Sequence, residues 1–379
     1  MKGSSVNPLE TEWHHLVVFP QEHTSSSYQA IAMILKEKIV LCDDLEQKKL
    51  AKSAGASGII FQNEKSQPFA HDYDEVPSVG INSKQAKKIH DEISKAKKKK
   101  RGGQLKAKIY QSIMVDNEKH FNAAKFSGRG PNPVTNQILK PDLVAAVVDI
   151  CVLHFTNRGT YTLKAGTSYA CPFVAAKAAL IKLEFEKKSL KPSPAWMHSA
   201  LITTASHFEE MVDDSFAIGA GIVNSVEALD PGLIYDLKEE DHAKFLYGQG
   251  YDKELTEIFK CMIDIKTKIE AWELNYPSLT IAVPRGNTIY FKEIYRCVTH
   301  VGSTSCSYEA KVISRITTKG IIITVELEIL HFPVMNTVVL RVDPEHWIPE
   351  VVTARLEWRG KEGDKQRIEK SPIVIVMKD

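Results

Sequence analysis

The sequence predicts a multidomain protein in which two α/β regions precede an all-β region. Apolar strands alternate with amphipathic helices over residues 13–115, and mixed helix and strand patterns continue over residues 120–252. Short strands spaced over about a hundred residues are typical of a β-sandwich, and we expect residues 274–379 to form one and to fold independently. Its predicted strands are 288–298, 321–330, 337–342 and 373–376.

The first region is predicted to be a small α/β module without a nucleotide cofactor. Its predicted elements are strands over 38–42, 59–61 and 76–81 and a helix over 45–53. A second helix should begin at a cap formed by Asn82 or Ser83. The apolar stripe of that helix consists of Ala86, Ile89 and Ile93. No G-x-G-x-x-G follows the first strand, so we expect no bound dinucleotide.

The charge distribution argues against nucleic-acid and membrane partners. The chain has 49 Lys and Arg residues together and 47 Asp and Glu residues together, so its net charge is only +2. A net charge this small creates no strong electrostatic attraction to nucleic acid or to an anionic membrane. The basic run 97–101 is interpreted as a helix end stopped by Gly102 and Gly103, because no aromatic residue is interleaved. No apolar run is long enough to span a bilayer. Residues 1–12 have one Lys and no apolar stretch, which excludes a secretory signal peptide there.

The cysteines do not predict a metal site. The six of them show no C-x-x-C spacing, so neither zinc nor another cofactor is expected. Cys297 and Cys306 either pair across a hairpin or remain free thiols.

The most informative stretch is residues 166–172 (GTSYACP), where a serine precedes a predicted helix. A serine hydroxyl is a weak nucleophile that needs a base and a site for the developing oxyanion. Pro172 is expected in the first helical turn, whose unpaired backbone N–H groups can stabilise an anion. The stripe of this helix is Val174, Ala178, Ile181 and Phe185. On these residues alone, Ser168 is either a nucleophile or only the N-cap of the helix.

Residues 166–172 also resemble G-T-S-x-[SA]-x-P, the nucleophile signature of the subtilase family of serine proteases. Further stretches resemble landmarks of the plant-type members, in the same order along the chain. They are residues 126–133 (FSGRGPNP), 138–143 (ILKPDL), 193–205 (SPAWMHSALITTA) and 219–236 (GAGIVNSVEALDPGLIYD). Residues 38–42 (KIVLC) resemble a strand of the protease-associated (PA) domain that these proteases insert before the serine. Residues 274–278 (LNYPS) and 371–374 (SPIV) resemble the opening and the last strand of their fibronectin-III-like domain.

The resemblance implies three domains and a role for one residue. The PA domain would cover 13–115, the C-terminal half of a subtilisin-like α/β peptidase domain 120–252, and a fibronectin-III-like β-sandwich 274–379. Ser168 would be the catalytic nucleophile. The implied protein is an extracellular serine endopeptidase that acts on peptide or protein substrates.

The sequence does not contain the motifs that carry the other two members of the catalytic triad in this family. The family carries an Asp in a D-[ST]-G motif and a His in an H-G-T-H motif, both ahead of the serine. Neither motif occurs in the 379 residues, and His154 and His198 belong to no local pattern with a carboxylate. Without a base we expect the chain as written to be inactive, and we expect the coding sequence ahead of Met1 to contain both motifs, intact or decayed. The alternative is a non-catalytic interaction protein that binds a protein partner through its PA and fibronectin-like modules.

Overall fold

The structure, a computed structural model, divides the chain into two compact units. The first comprises Met1–Asn117, Ala124–Phe126 and Ala146–Tyr169, and the second comprises Glu118–Ala123, Ser127–Ala145 and Ala170–Asp379. The residues that the structure describes are 9–20, 28–62, 76–98, 104–110, 122–148, 150–153, 161–207, 214–251, 267–285, 290–302, 306–314, 320–326, 329–330, 334–342, 350–362 and 365–378.

The first unit is built on a five-stranded mixed sheet. Its strands are β1 (Leu9–Val18), β2 (Ile39–Cys42), β3 (Gly58–Gln62), β4 (Ser78–Ile81) and β5 (Lys106–Ile109). They lie in the order β4-β3-β2-β1-β5, with β1 to β4 parallel and β5 antiparallel to β1. Its helices are α1 (Tyr28–Leu35), α2 (Leu45–Ser53) and α3 (Ser83–Lys98). The predicted α/β module is therefore confirmed, and α2 has the predicted bounds.

Side-chain caps begin α2 and α3. The Oδ1 atom of Asp44 accepts a hydrogen bond of 2.8 Å from the backbone N–H of Gln47. Asn82 accepts one of 2.9 Å from the N–H of Gln85, whose side chain accepts one of 3.1 Å from the N–H of Asn82. This reciprocal capping box identifies Asn82, and not Ser83, as the cap of α3.

Helix α3 packs on the sheet through the stripe that the sequence predicts. Ala86, Ile89 and Ile93 are buried and cluster with Leu41 of β2 and Ile81 of β4. The described part of α3 ends at Lys98 with three lysines in its last turn, where positive charge complements the helix dipole. The glycine pair predicted to stop the helix lies outside the described residues.

A β-hairpin completes the first unit. Strands β6 (Ile150–Leu153) and β7 (Tyr161–Lys164) pair antiparallel. They lead into α4 (Thr167–Lys187), a helix of 21 residues whose continuation from Ala170 belongs to the second unit.

In the helical part of the second unit, α4 packs against α5 (Pro194–Thr203). The other described helices there are α6 (Ser215–Ile218), α7 (Glu239–Gly248) and two 3-10 turns at Glu227–Leu229 and Ala271–Glu273. Ile181 and Phe185 of α4 are buried against Leu201 of α5, and the Phe185 ring stacks on Trp196 at 4.9 Å between centroids. Val174 and Ala178 pack beside them, which confirms the predicted stripe of α4.

The rest of the second unit is a β-sandwich of two sheets, as predicted. Its strands are β8 (Leu233–Ile234), β9 (Leu279–Pro284), β10 (Tyr290–His300), β11 (Tyr308–Ser314), β12 (Ile321–Val325), β13 (Ile329–Leu330), β14 (Val334–Val342), β15 (Val351–Glu362) and β16 (Lys365–Lys378). One sheet has the order β12-β14-β10-β8 and the other β13-β11-β15-β16-β9. The single strand predicted over 321–330 is wrong, because β12 and β13 belong to different sheets. An apolar pattern alone cannot show where a chain crosses between layers.

The sandwich takes part of its core from outside residues 274–379. Strand β8 pairs antiparallel with β10, and Leu233 and Tyr235 are buried within the sandwich core. The Tyr235 hydroxyl accepts hydrogen bonds from Trp358 Nε1 at 3.1 Å and from Ser371 Oγ at 2.9 Å. A domain bounded at 274–379 would therefore lack an edge strand, β8, and an aromatic residue of its core, Tyr235.

A buried arginine holds the turn that precedes β8. Arg367 donates to the carbonyl oxygen of Asp230 at 2.7 Å and to its carboxylate at 2.8 Å. Gly232 has φ +64° and lies against Glu369 and Tyr308, where a Cβ atom would clash with both side chains. The turn thus requires glycine for its backbone conformation and for its close approach to the sandwich.

A truncation series tests the contribution of the β8 segment. Residues 230–379, which include Asp230 to Tyr235, should have a higher melting temperature than residues 274–379. Loss of a buried aromatic side chain costs about 3–5 kcal/mol, which corresponds to more than about 10 °C for a domain of this size. Thermal unfolding followed by circular dichroism measures the difference, and equal melting temperatures would contradict the shared core.

Glycine substitutions test the close approach of the turn. Gly232→Ala should destabilise the second unit by about 2 kcal/mol or more, because it adds both backbone strain and a clash. Gly128→Ala is the matched control, since its φ is not in the left-handed region and nothing lies within 4 Å of the added Cβ. Urea unfolding of both variants gives the comparison, and a Gly232→Ala variant as stable as the control would refute the argument.

Candidate active site

Ser168 lies at the start of α4 and is exposed to solvent. It is the second residue of the helix, after Thr167. The first backbone N–H groups of an α-helix have no intrahelical acceptor. The serine hydroxyl therefore lies beside a set of N–H groups that favour negative charge.

The approach to the serine is fixed by backbone contacts of Gly166. Its N–H donates to the carbonyl oxygen of Val147 at 2.9 Å, and its carbonyl accepts from the N–H of Tyr169 at 3.0 Å. Gly166 has φ +149°, a conformation that residues with a Cβ rarely adopt. This glycine ties the end of the β6–β7 hairpin to the first turn of α4 and so positions Ser168.

The alternative that Ser168 only caps a helix does not fit this geometry. An N-cap residue precedes the first helical residue, and its side chain accepts a hydrogen bond from the backbone two or three positions later. Ser168 lies inside α4, and within the described ranges its hydroxyl has no hydrogen-bond partner. The exposed hydroxyl therefore makes no hydrogen bond that stabilises the described part of the fold.

The position predicted for Pro172 is wrong by one turn. Pro172 is the sixth residue of α4 and lies inside the helix, beyond the first turn that tolerates proline at no cost. It cannot donate a hydrogen bond to the carbonyl of Ser168, four residues earlier. The helix is consequently held less tightly at Ser168 than farther along.

His198, which the sequence leaves without a partner, has a carboxylate neighbour in the structure. Its Nε2 atom lies 3.2 Å from Oδ1 of Asp142 and 3.2 Å from the hydroxyl of Tyr276. Tyr276 donates to the same carboxylate at 2.5 Å, and Lys140 Nζ lies 2.6 Å from its other oxygen. These four residues form a half-buried polar cluster, which we call the Asp142 cluster. His154, the other histidine considered from sequence, lies outside the described residues.

The electrostatics of the Asp142 cluster favour an ionised aspartate. Burial alone would raise the pKa of Asp142, but the hydrogen bonds and positive charge of His198 and Lys140 outweigh it and hold that pKa well below its usual range. Burial and the nearby carboxylate raise the pKa of the Tyr276 phenol. Tyr276 therefore stays protonated and donates to Asp142.

The Asp142 cluster joins the helical part of the second unit to the sandwich. Lys140 and Asp142 belong to the ILKPDL stretch, His198 to α5, and Tyr276 to the LNYPS stretch that leads into β9. Buried Arg296 donates to the carbonyl oxygen of Tyr276 at 3.1 Å and fixes that stretch from the other side. Both stretches are recognisable as motifs in the sequence, but no local signal in the sequence indicates that they touch.

The structure offers no site for a metal ion among the described residues. Within those ranges, His, Cys, Asp and Glu side chains form no group of three that could hold one. Cys297 and Cys306 form no disulfide with each other; Cys297 is exposed, and Cys306 is buried with its Sγ donating to the carbonyl oxygen of Lys361 at 3.2 Å. The pairing alternative for these two cysteines is therefore wrong, and the thiol alternative applies. No described helix combines the length and hydropathy that a bilayer crossing requires.

Family comparisons match three parts of the chain. Residues 53–250 match Peptidase_S8, described as the Subtilase family. Residues 15–89 match the PA domain, and residues 273–375 match a Fibronectin type-III domain. The first match covers more than half of the chain.

Two curated proteins of Arabidopsis thaliana are similar over most of the chain. The chain is 30% identical over 366 residues to Subtilisin-like protease SBT4.12, covering 90% of this chain and 47% of that protein. It is 31% identical over 301 residues to Subtilisin-like protease SBT4.4, covering 74% of this chain and 39% of that protein. The chain thus spans half or less of the length of these relatives. Among solved structures, the periplasmic chaperone SfaE aligns with 27% of this chain and 56% of its own, at 10% identity and a TM-score of 0.21, too low to support a conclusion.

Substitution of Asp142 tests the cluster and its pH dependence. Asp142→Asn should lower the free energy of unfolding at pH 7 by about 2–3 kcal/mol, because hydrogen bonds to a charged group are lost. The folded-state pKa of Asp142 is depressed, so its stabilisation is present above the unfolded value, near 4, and is lost as the pH falls toward the folded value. The difference between variant and wild type should therefore shrink below about pH 4.

The control for this experiment is a surface carboxylate. Glu240 pairs with Lys244 on the exposed side of α7 at 2.6 Å, and such exposed pairs contribute little to stability because solvent screens them. Glu240→Gln should change the free energy of unfolding in urea at pH 7 only slightly. The role of the cluster would be refuted if Asp142→Asn lowered this free energy no more than the control does. It would also be refuted if the difference in free energy between Asp142→Asn and wild type did not depend on pH.

Proposed function

The chain belongs to the subtilase family of serine peptidases, and from this we propose that it is the nucleophile-bearing part of a serine endopeptidase. Ser168 is the proposed nucleophile. The observation that supports this role is its exposed hydroxyl in the first turn of α4, in a family signature, with no hydrogen-bond partner among the residues that the structure describes. Peptides or proteins are the proposed substrates, and the family resemblance supports an extracellular location.

The proposed chemistry is acyl transfer. The Oγ atom of Ser168 attacks the scissile carbonyl carbon, and its proton passes to a general base and then to the leaving amine. The carbonyl oxygen becomes an oxyanion, which the N–H groups at the start of α4 are oriented to stabilise. Water then attacks the acyl-serine, the acid product leaves, and the proton returns to Ser168.

We assign no general base among these 379 residues. Both contacts of His198 Nε2, to Asp142 and Tyr276, are consistent with a structural role. We therefore propose that residues 1–379 alone do not hydrolyse peptides. Such a chain retains only the residual rate that binding and oxyanion stabilisation provide.

A second proposal is favoured by the same two observations. A serine with no hydrogen-bond partner in the described part of the chain, and a histidine held in a structural cluster, are consistent with a non-catalytic protein that binds partners. In that case the PA domain, proposed at 13–115, and the fibronectin-like domain, proposed at 274–379, supply the binding surfaces. The segment 120–252 would then serve as the connection between them.

A fusion protein tests the first proposal. The part of SBT4.12 that the chain does not match is placed ahead of residues 1–379, and the product is treated with a fluorophosphonate, which phosphonylates an activated serine as fluoride leaves. We expect labelling of the fusion at Ser168 and at most a hundredth of that labelling in residues 1–379 alone. Peptide mapping by mass spectrometry identifies the labelled residue.

Two serine substitutions make the test specific. Ser168→Ala should abolish labelling of the fusion, whereas Ser225→Ala, in a turn that precedes the Glu227–Leu229 segment, should leave it unchanged. A folded but unlabelled fusion would support the non-catalytic proposal. Labelling of residues 1–379 alone would show that they contain a base after all.

A further inference from the structure

The outer face of the five-stranded sandwich sheet carries a concentration of positive charge. Along β15, Leu356 and Trp358 belong to the sandwich core, so the residues that alternate with them lie on the opposite face. The register of β15 with β11 and β16 places further residues beside these on the same face. They include five cationic side chains, on Lys311, Arg355, Arg359, Lys361 and Lys370, and two carboxylates, on Glu309 and Glu357. We call these seven residues the basic face.

The basic face is positive out of proportion to the chain. All 379 residues together carry a net charge of only +2, yet on this one face the cations outnumber the carboxylates by five to two. One of the two carboxylates, Glu357, is only 3% exposed, so nearly all the charged groups that solvent reaches here are cationic. A local excess of this kind attracts anionic partners and selects against cationic ones.

Buried Glu357 holds the two arginines of the basic face in place. Its Oε1 accepts from Nε of Arg355 at 2.6 Å, and its Oε2 accepts from Nε and Nη2 of Arg359 at 3.0 and 2.6 Å. Burial would raise the pKa of Glu357, but these hydrogen bonds and the charges of both arginines outweigh it and lower that pKa. A guanidinium group has five N–H donors. Both arginines therefore keep donors that Glu357 does not use and that a second carboxylate can accept.

A groove on the same face adds apolar contacts. It has a volume of about 500 Å³, within the range of ligand sites. The register places four of its lining residues in one row across strands β13, β11, β15 and β16, in the order Ile329, Glu309, Arg359 and Ile368. The isoleucines at the two ends of the row are 56% and 45% exposed. The groove thus offers aliphatic walls beside cationic donors.

We propose that the basic face binds an acidic segment of a partner polypeptide. Its carboxylates pair with Arg355 and Arg359, and an aliphatic side chain packs against Ile329 or Ile368. Arginine suits this role because its planar fork matches a carboxylate. A polyuronate or a nucleic acid offers negative charge without aliphatic side chains, so the isoleucines favour a polypeptide. The proposal does not depend on the chemistry proposed for Ser168, because binding at this face requires no nucleophile.

A peptide of defined composition tests the charge requirement. Residues 1–379 are titrated into a fluorescein-labelled peptide with glutamate at two of every three positions and leucine at the third, and fluorescence anisotropy gives the Kd. The same peptide with glutamine in place of glutamate should bind at least tenfold more weakly. Added salt should raise the Kd of the acidic peptide, because it screens exposed charges. No binding of the acidic peptide, or an equal Kd for both peptides, overturns the proposal.

Charge substitutions test the location of the site. Arg359→Gln should raise the Kd of the acidic peptide at least fivefold. If this variant does not keep the melting temperature of the wild type, Lys311→Gln combined with Lys361→Gln replaces it, with an expected increase of threefold or more. The matched control is Lys87→Gln combined with Lys88→Gln, which removes two exposed lysines of α3 and should leave the Kd within twofold of wild type. An equal increase in the control variant overturns the location.

An isoleucine substitution tests the chemical class of the partner. Ile368→Ser should raise the Kd of the peptide that contains leucine at least threefold and leave the Kd of an all-glutamate peptide within twofold, because only the first peptide has aliphatic side chains to pack. If Ile368→Ser changes neither Kd and polygalacturonate displaces the acidic peptide, the basic face is a site for polyanions in general. That result would overturn the assignment to a polypeptide.

Discussion

The second unit depends on the burial of Tyr235 inside the β-sandwich. This tyrosine comes from the peptidase-like segment, yet its ring belongs to the sandwich core and its hydroxyl accepts hydrogen bonds from Trp358 and Ser371. A buried phenol needs such partners, because an unsatisfied polar group in the interior costs more than the bond returns. Because strand β8 also pairs with β10, the segment and the sandwich share both a hydrophobic core and a sheet.

The Asp142 cluster is a second connection between the same parts and works by electrostatics. One carboxylate receives a phenol, an imidazole and an ammonium group, so its negative charge is compensated despite partial burial. His198 is one of the groups that hold this connection, through its contact with Asp142. In a family whose catalysis requires a histidine positioned by an aspartate, this pair instead lies beneath the LNYPS stretch.

Helix α4 links the fold to the proposed chemistry. Its inner stripe anchors it in the second unit, Pro172 removes the hydrogen bond to the carbonyl of Ser168, and its first turn places the serine at the positive end of the helix dipole. On its other side, Phe173, Leu180 and Leu183 are exposed.

Features that depend on neighbours along the chain could be predicted from the sequence. The start of α3 near Asn82 or Ser83, the bounds of α2 and the stripes of α3 and α4 follow from local hydrogen bonding and helical periodicity, and the motif around Ser168 indicated the family. The capping box that identifies Asn82, and contacts between residues far apart in sequence such as Asp142 with Tyr276 and Trp358 with Tyr235, are seen only in the folded structure. It also separated β12 from β13 and showed that one stripe of α4 is buried while the other is exposed. The physical reason is that periodicity records which side chains avoid water, whereas their partners are set by chain topology and packing.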